Sequence, residues 1–162
     1  MKTLAFISFI IFIGYILFIL FRFGLLPSIS QSYYALEGEK KGLGVVFYLV
    51  FMTMIFTLIP YWLEITSENT QFIAFLSAAG LGFVGAAPAF KLDLEGKVHV
   101  ISAKACAVFS VLWIVFNSTL PIIIVTLSLY PIAFMLIRLL GNKTYFLEMA
   151  AFLGLYIAIL LK

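Results

Sequence analysis

The chain has 162 residues, of which 65% are hydrophobic and 10% are charged, and its formal net charge is +3. Soluble domains carry roughly 25% charged residues, so this composition excludes a soluble fold and indicates an integral membrane protein. The ten Lys and Arg residues are scattered between apolar runs. This distribution excludes a nucleic-acid interface and is typical of residues that set membrane topology and meet lipid headgroups.

Six apolar runs are each long enough for a helix to cross a bilayer, which takes about 20 residues. We therefore predict an all-α membrane protein, a six-transmembrane-helix bundle with short loops that forms a single domain, 1–162. The predicted spans are about 4–21, 45–62, 71–89, 99–116, 121–140 and 145–161. No small-x-small cleavage site follows the first run, so we interpret it as an uncleaved helix.

The longest polar segment, 27–42, follows the first span and is predicted to be a loop. It opens with Pro27-Ser28-Ile29-Ser30 and continues with Tyr33 and Tyr34. Loops of this length often carry function. We take Ser28, Ser30, Tyr33 and Tyr34 as candidate ligand-binding residues.

Small residues recur every four positions in the third span, at Ala78, Gly82 and Ala86. They share one helix face, which lets another helix backbone approach closely. This face predicts a packing seam. If this face points inward, another helix of the same chain packs on it. If it points outward, a helix of a second copy or of another membrane protein can pack on it.

The fourth span carries a polar stripe at helical spacing. Its members are His99, Ser102, Cys106, Ser110, Trp113 and Asn117. One interpretation is a helix that turns its less apolar side into the bundle. The other is a groove that binds a ligand, with His99 at its membrane-surface end and Ser102 one turn deeper.

His99 is the chain's one histidine and its natural acid-base candidate. A membrane hydrolase with Ser30 as nucleophile, His99 as base and Asp93 as orienting group is a minority interpretation, and the sequence favours a non-enzymatic role. One histidine and one cysteine cannot supply a zinc site, and no phosphate-binding loop is present. We predict no metal and no cofactor.

Lys104 and Glu148 each lie about one turn inside a span, at matching depth. We predict a buried ion pair between them, with snorkelling of each charge to the headgroups as the alternative. Lys104 follows His99 by five positions, about 140° around the helix, so we expect it to point elsewhere.

An even number of spans places both termini on one side of the membrane. That side carries Lys2 and Lys162, and the other eight Lys and Arg residues lie on or near the opposite side. By the positive-inside rule, the three odd-numbered loops are cytoplasmic and both termini are outside. We predict a bacterial inner (cytoplasmic) membrane location.

Pro27-Ser28-Ile29-Ser30 after the first span, the Gly80 to Phe90 stretch and His99 opening the next span together resemble FRAG/DRAM/Sfk-type six-helix membrane proteins and related bacterial families of unassigned function. The resemblance implies a six-helix bundle with the serine-rich loop and the histidine on one face. Eukaryotic members are associated with lipid-anchor remodelling or membrane trafficking, which implies Ser28, Ser30 and His99 as site residues. The resemblance also implies a cytoplasmic N-terminus, whereas the distribution of Lys and Arg predicts an N-terminus outside.

The function these residues favour is recognition of a lipid or amphiphile headgroup at the face formed by loops 1, 3 and 5, where Arg138 attracts anionic groups. Membrane lipid is the expected partner. A small transporter with a path along span 4 is one alternative, indicated by a cavity crossing the midplane beside Ser110 and Tyr130. A structural or assembly subunit, with an outward-facing seam, is the other.

Overall fold

The computed structural model describes residues 1–86, 94–141 and 143–162, without the side chains of 94–96 and 143. All regular structure within these ranges is helical, and six helices are long and apolar enough to cross a membrane. The helices are α1 (Lys2–Phe23), α2 (Gln31–Glu39), α3 (Val45–Glu64), α4 (Gln71–Ala86), α5 (Leu94–Asn117), α6 (Leu120–Leu140) and α7 (Lys143–Leu161), with a short 3₁₀ turn at Glu68–Thr70. The predicted six-span helical fold is confirmed.

The segment predicted as a long loop contains the short helix α2. Its start is stabilised locally, because the Gln31 N–H donates to the Ser28 hydroxyl at 3.2 Å. A buried hydrogen bond of 2.6 Å joins the Ser32 hydroxyl to the Tyr15 hydroxyl of α1. The prediction failed because polar composition hid a helix whose order comes from contacts with α1.

Two acidic side chains fix the end of α2. The Glu37 carboxylate accepts the backbone N–H groups of Gly42, at 2.9 Å, and Gly44, at 3.1 Å. These bonds hold the pKa of Glu37 below its ordinary value. Glu39 forms an ion pair with Arg22 at the end of α1, and this hydrogen-bonded partner lowers the pKa of Glu39. The segment after α1 is therefore tied to both helices that flank it.

α5 begins at Leu94, five residues before the predicted start of the fourth span. His99 thus lies in the second turn of the helix instead of opening it. Hydropathy detects only the apolar part of a helix, so the polar first turn was missed. The predicted end of the third span, at 89, lies outside the described residues.

Five of the long helices form a closed ring in the order α1, α3, α4, α5, α7 and back to α1. The most extensive contacts are between α4 and α5. α6 lies outside this ring and packs on α7, and only Thr126 and Ala133 of α6 are buried. Most other residues of α6 are exposed, as expected of a helix at the edge of a membrane bundle.

Aromatic side chains fill the part of the ring where α1, α3 and α7 meet. Phe12 stacks on Phe152 with a centroid distance of 4.7 Å, and Phe51 meets Phe152 edge to face at 6.1 Å. The buried Ser8 hydroxyl lies 2.7 Å from the Tyr156 hydroxyl and donates to the Met54 carbonyl at 2.9 Å. Such packing and hydrogen bonds drive helix association in lipid, where burial of apolar surface contributes little.

The small residues of α4 face neighbouring helices of the same chain. Ala78 is buried, Gly82 and Ala86 are half-buried, and a Cβ at residue 82 would lie 3.7 Å from Ile55 Cδ1 of α3. Two residues away, on another face of α4, a Cβ at Gly80 would lie 3.0 Å from the Cys106 nitrogen and the Ser102 oxygen of α5. The backbones of α4 and α5 are therefore in near contact at Gly80.

Gly80→Ala should destabilise the fold by about 1–3 kcal/mol, because the added methyl group meets backbone that cannot move without separating α4 from α5. Gly82→Ala is the matched control, since its methyl group makes an ordinary contact and alanine favours the helix. Equilibrium unfolding in mixed micelles gives the free energy of unfolding of both variants. Equal tolerance of the two substitutions would contradict the close approach.

Candidate functional site

The polar stripe of α5 packs against α4 over most of its length. The Ser77 hydroxyl of α4 lies 2.6 Å from the Ser110 hydroxyl and donates to the Cys106 carbonyl at 3.1 Å. The Ser102 carbonyl lies against Gly80. The middle of the stripe is thus a hydrogen-bonded packing surface, the first of the two interpretations of the sequence.

The end of the stripe closes the bundle at the connection between α3 and α4. The Trp113 indole N–H donates to the Thr66 hydroxyl at 2.8 Å, and its ring meets Trp62 edge to face at 5.5 Å. Both tryptophans are at most 1% exposed. The Lys162 ammonium lies 5.7 Å from the centre of the Trp113 ring. We call this end of the molecule the tryptophan end.

A cavity of about 450 Å³ occupies the opposite half of the bundle. Its walls come from α3, α4, α5, α6 and α7, and Ile29 and Ser30 contribute from the segment before α2. We call this end of the molecule, which carries α2 and the starts of α5 and α7, the α2 end. The cavity has the size range of sites that bind small ligands.

The cavity reaches about half the depth of a bilayer. Its lining on α5 runs from His99 to Ser110, a rise of about 16 Å at 1.5 Å per residue, and the hydrocarbon core is about 30 Å thick. Tyr130, at the middle of α6, lines the same cavity. Below this level the tryptophan pair fills the bundle. The cavity therefore passes Cys106 and stops in the middle of the membrane.

Most of the lining is apolar, and its ionisable side chains lie towards the α2 end. The side chains near the α2 end are Ser30, His99, Lys104, Thr144 and Glu148. Those deeper in the cavity include Phe51, Ala107, Ala151, Phe152 and Leu155. Ser110 and Tyr130 add two hydroxyl groups at the deep end, so the two ends of the cavity differ in ionisable groups.

The segment before α2 is held across the α2 end by the first two turns of α7. The Ile29 N–H donates to Glu148 Oε2 at 2.5 Å, and the Tyr145 N–H donates to the Pro27 carbonyl at 3.0 Å. The second bond satisfies one of the amides that a helix leaves unpaired at its N-terminus. Ser30 is thereby placed at the cavity.

Lys104 and Glu148 line the same cavity but do not form the predicted ion pair. Among the residues that the structure describes, the ion pair is Arg22–Glu39. Glu148 instead accepts the Ile29 N–H, a partner that the sequence pattern does not reveal because it comes from a distant loop. Lys104 and His99 nevertheless line the same cavity.

The other predicted ligand-binding residues lie away from the cavity. Ser28 is buried in the segment before α2, where its hydroxyl lies 3.1 Å from the Ser30 hydroxyl. Tyr33 packs against Gly44 and Phe47. Ser102, whose carbonyl lies against Gly80, and the exposed Tyr34 and Arg138 also line no part of it. Asp93 lies outside the described residues, so the structure brings together only Ser30 and His99 of the predicted catalytic trio.

The sequence did not predict Thr144 and Phe51 as residues that line the cavity with His99. Thr144 and Glu148 are four residues apart at the start of α7 and share a face, which was the available signal. No group of three His, Cys, Asp or Glu residues in the described ranges is arranged to hold a metal ion.

No protein-family model matches the chain, and neither the curated proteins nor the solved structures contain a match. The FRAG/DRAM/Sfk resemblance therefore stays a prediction.

Glu148→Ala should release the segment that covers the α2 end, because the buried Ile29 N–H loses its acceptor. An unsatisfied buried donor costs about 1–3 kcal/mol. Glu148→Gln keeps an acceptor oxygen and should retain most of the protection. Hydrogen exchange of the Ile29 amide in micelles measures the effect, and wild-type protection in Glu148→Ala would show that the bond does not hold this segment.

Proposed function

We propose that the protein binds a membrane amphiphile in the cavity, with the polar head towards the α2 end and an acyl chain towards the middle of the membrane. The observation that carries this proposal is the placement of the ionisable groups in a mostly apolar lining, with His99 and Glu148 towards the α2 end and hydrocarbon side chains such as Phe152 deeper. A ligand that is polar throughout would meet hydrocarbon side chains in the deeper half. An amphiphile matches both halves.

The cavity is deeper than the headgroup site that the sequence favoured. A headgroup pocket would end near the membrane boundary, whereas this cavity continues to Ser110 and Tyr130. We therefore place part of the acyl chain, as well as the head, inside the protein. By the Lys and Arg count, the α2 end faces the cytoplasm of a bacterial cell.

The arrangement of α6 supports entry from the lipid. A short connection joins α6 to α5 at the tryptophan end, yet α6 packs on α7 and makes little contact with α5. The two helices therefore diverge beside the cavity. An amphiphile can pass sideways through this gap without carrying its chain through water.

Two alternatives receive less support. A transport path would need to continue past Ser110, where Trp62 and Trp113 are packed and buried. An assembly subunit would present the small residues of α4 outward, whereas Ala78 is buried and Gly82 lies opposite Ile55 of α3.

Ala107→Phe should fill the cavity and reduce amphiphile binding at least tenfold while leaving the fold intact. Val108→Phe is the matched control, because Val108 is 56% exposed on the neighbouring face of α5. Native mass spectrometry after equilibration with a bacterial polar lipid extract measures bound lipid, and circular dichroism measures folding. Equal lipid binding by folded wild type, Ala107→Phe and Val108→Phe would mean that the cavity is not the binding site.

A further inference from the structure

The polar end of the cavity contains two opposite charges that do not contact each other. Lys104 lies on α5 and Glu148 on α7, and both line the cavity without forming an ion pair. Lys104 lies deeper in the span than the exposed Lys97, by seven residues or about 10 Å along α5. Charged groups inside a span are costly and normally face a partner or a cavity. An unpaired acid and base facing one cavity indicate a ligand that supplies both countercharges.

Each charge retains bonding capacity towards the cavity. Ile29 donates to Glu148 Oε2, and no donor from the described residues reaches the second oxygen, Oε1. Lys104 forms no ion pair with the described residues and lies where the cavity-lining face of α5 meets the exposed residues Ile101 and Val108. Lys104 is itself exposed, so its side chain is accessible.

We infer that the amphiphile bound in the cavity is zwitterionic, with a phosphate against Lys104, a primary ammonium against Glu148 and one acyl chain in the apolar half. This inference rests on the proposed function and specifies its ligand class. The hydroxyl groups of Ser30 and Thr144 line the same end and supply neutral hydrogen bonds. The Glu148 carboxylate would repel a purely anionic head, and the Lys104 ammonium would repel a purely cationic head.

Competition between ligands with the same acyl chain tests the head. The probes are lysophosphatidylethanolamine, lysophosphatidic acid, which lacks the amine, and a long-chain alkylamine, which lacks the phosphate. We expect wild-type protein in detergent micelles to bind the zwitterion at least tenfold more tightly than either of the others. Phosphoethanolamine without a chain should not compete, which distinguishes a lipid from a soluble headgroup.

Substitution of each charge tests its assigned partner. Lys104→Gln should weaken binding of the zwitterion about tenfold and leave alkylamine binding unchanged or stronger. Glu148→Gln, which keeps an acceptor for the Ile29 N–H, should remove the preference for the zwitterion over lysophosphatidic acid. Lys40→Gln, in the exposed turn after α2, is the control and should change neither. The double exchange Lys104→Glu with Glu148→Lys should recover part of the preference.

The outcomes separate this inference from the proposed function. Equal binding of all three chain-bearing probes, still abolished by Ala107→Phe, would overturn the zwitterion and leave the amphiphile site in place. Tighter binding of lysophosphatidic acid than of the zwitterion would overturn it in favour of an anionic amphiphile. Binding of none of the chain-bearing probes would remove the proposed function itself.

Discussion

The near contact between the backbones of α4 and α5 at Gly80 determines how the rest of the bundle is arranged. Glycine at this position and the hydroxyl bonds between Ser77 and Ser110 draw α5 onto α4. α5 also contacts α7 and, through Trp113, the end of α3, and α6 lies outside the ring against α7. A cavity is left among α3, α4, α5, α6 and α7. In hydrocarbon, where helix association depends on close packing, a single close contact can decide where a gap remains.

The two ends of the bundle differ in the way they are closed. At the tryptophan end, Trp62, Trp113 and Thr66 form a packed and hydrogen-bonded layer. At the α2 end, the covering segment is held by backbone hydrogen bonds to the start of α7, and charged side chains lie beneath it. Under the function proposed above, this asymmetry would retain a molecule that enters from the bilayer.

Hydropathy and helical spacing predicted the six spans, and they placed Ser30 and His99 at the same end of the bundle. They did not predict α2, because its order comes from contacts such as the Tyr15–Ser32 hydrogen bond between segments distant in sequence. They also did not predict which spans are neighbours. The apolar residues of α6 are like those of the ring helices, so nothing in its composition places it outside the ring. The predicted Lys104–Glu148 ion pair failed for the same reason. Two charges at the same depth in the membrane need not lie on facing sides of neighbouring helices.

The account depends most directly on the segment before α2 and the start of α5 meeting at one membrane surface, with the tryptophan end at the other. Single cysteines at Tyr34, Lys97 and Ser67, in a Cys106→Ala background, can be labelled in intact cells and in inverted vesicles with a membrane-impermeant maleimide. All three positions are exposed. We expect residues 34 and 97 to react only from the cytoplasmic side and residue 67 only from the outside. Reaction of residues 34 and 97 from opposite sides would contradict the fold and the shared site.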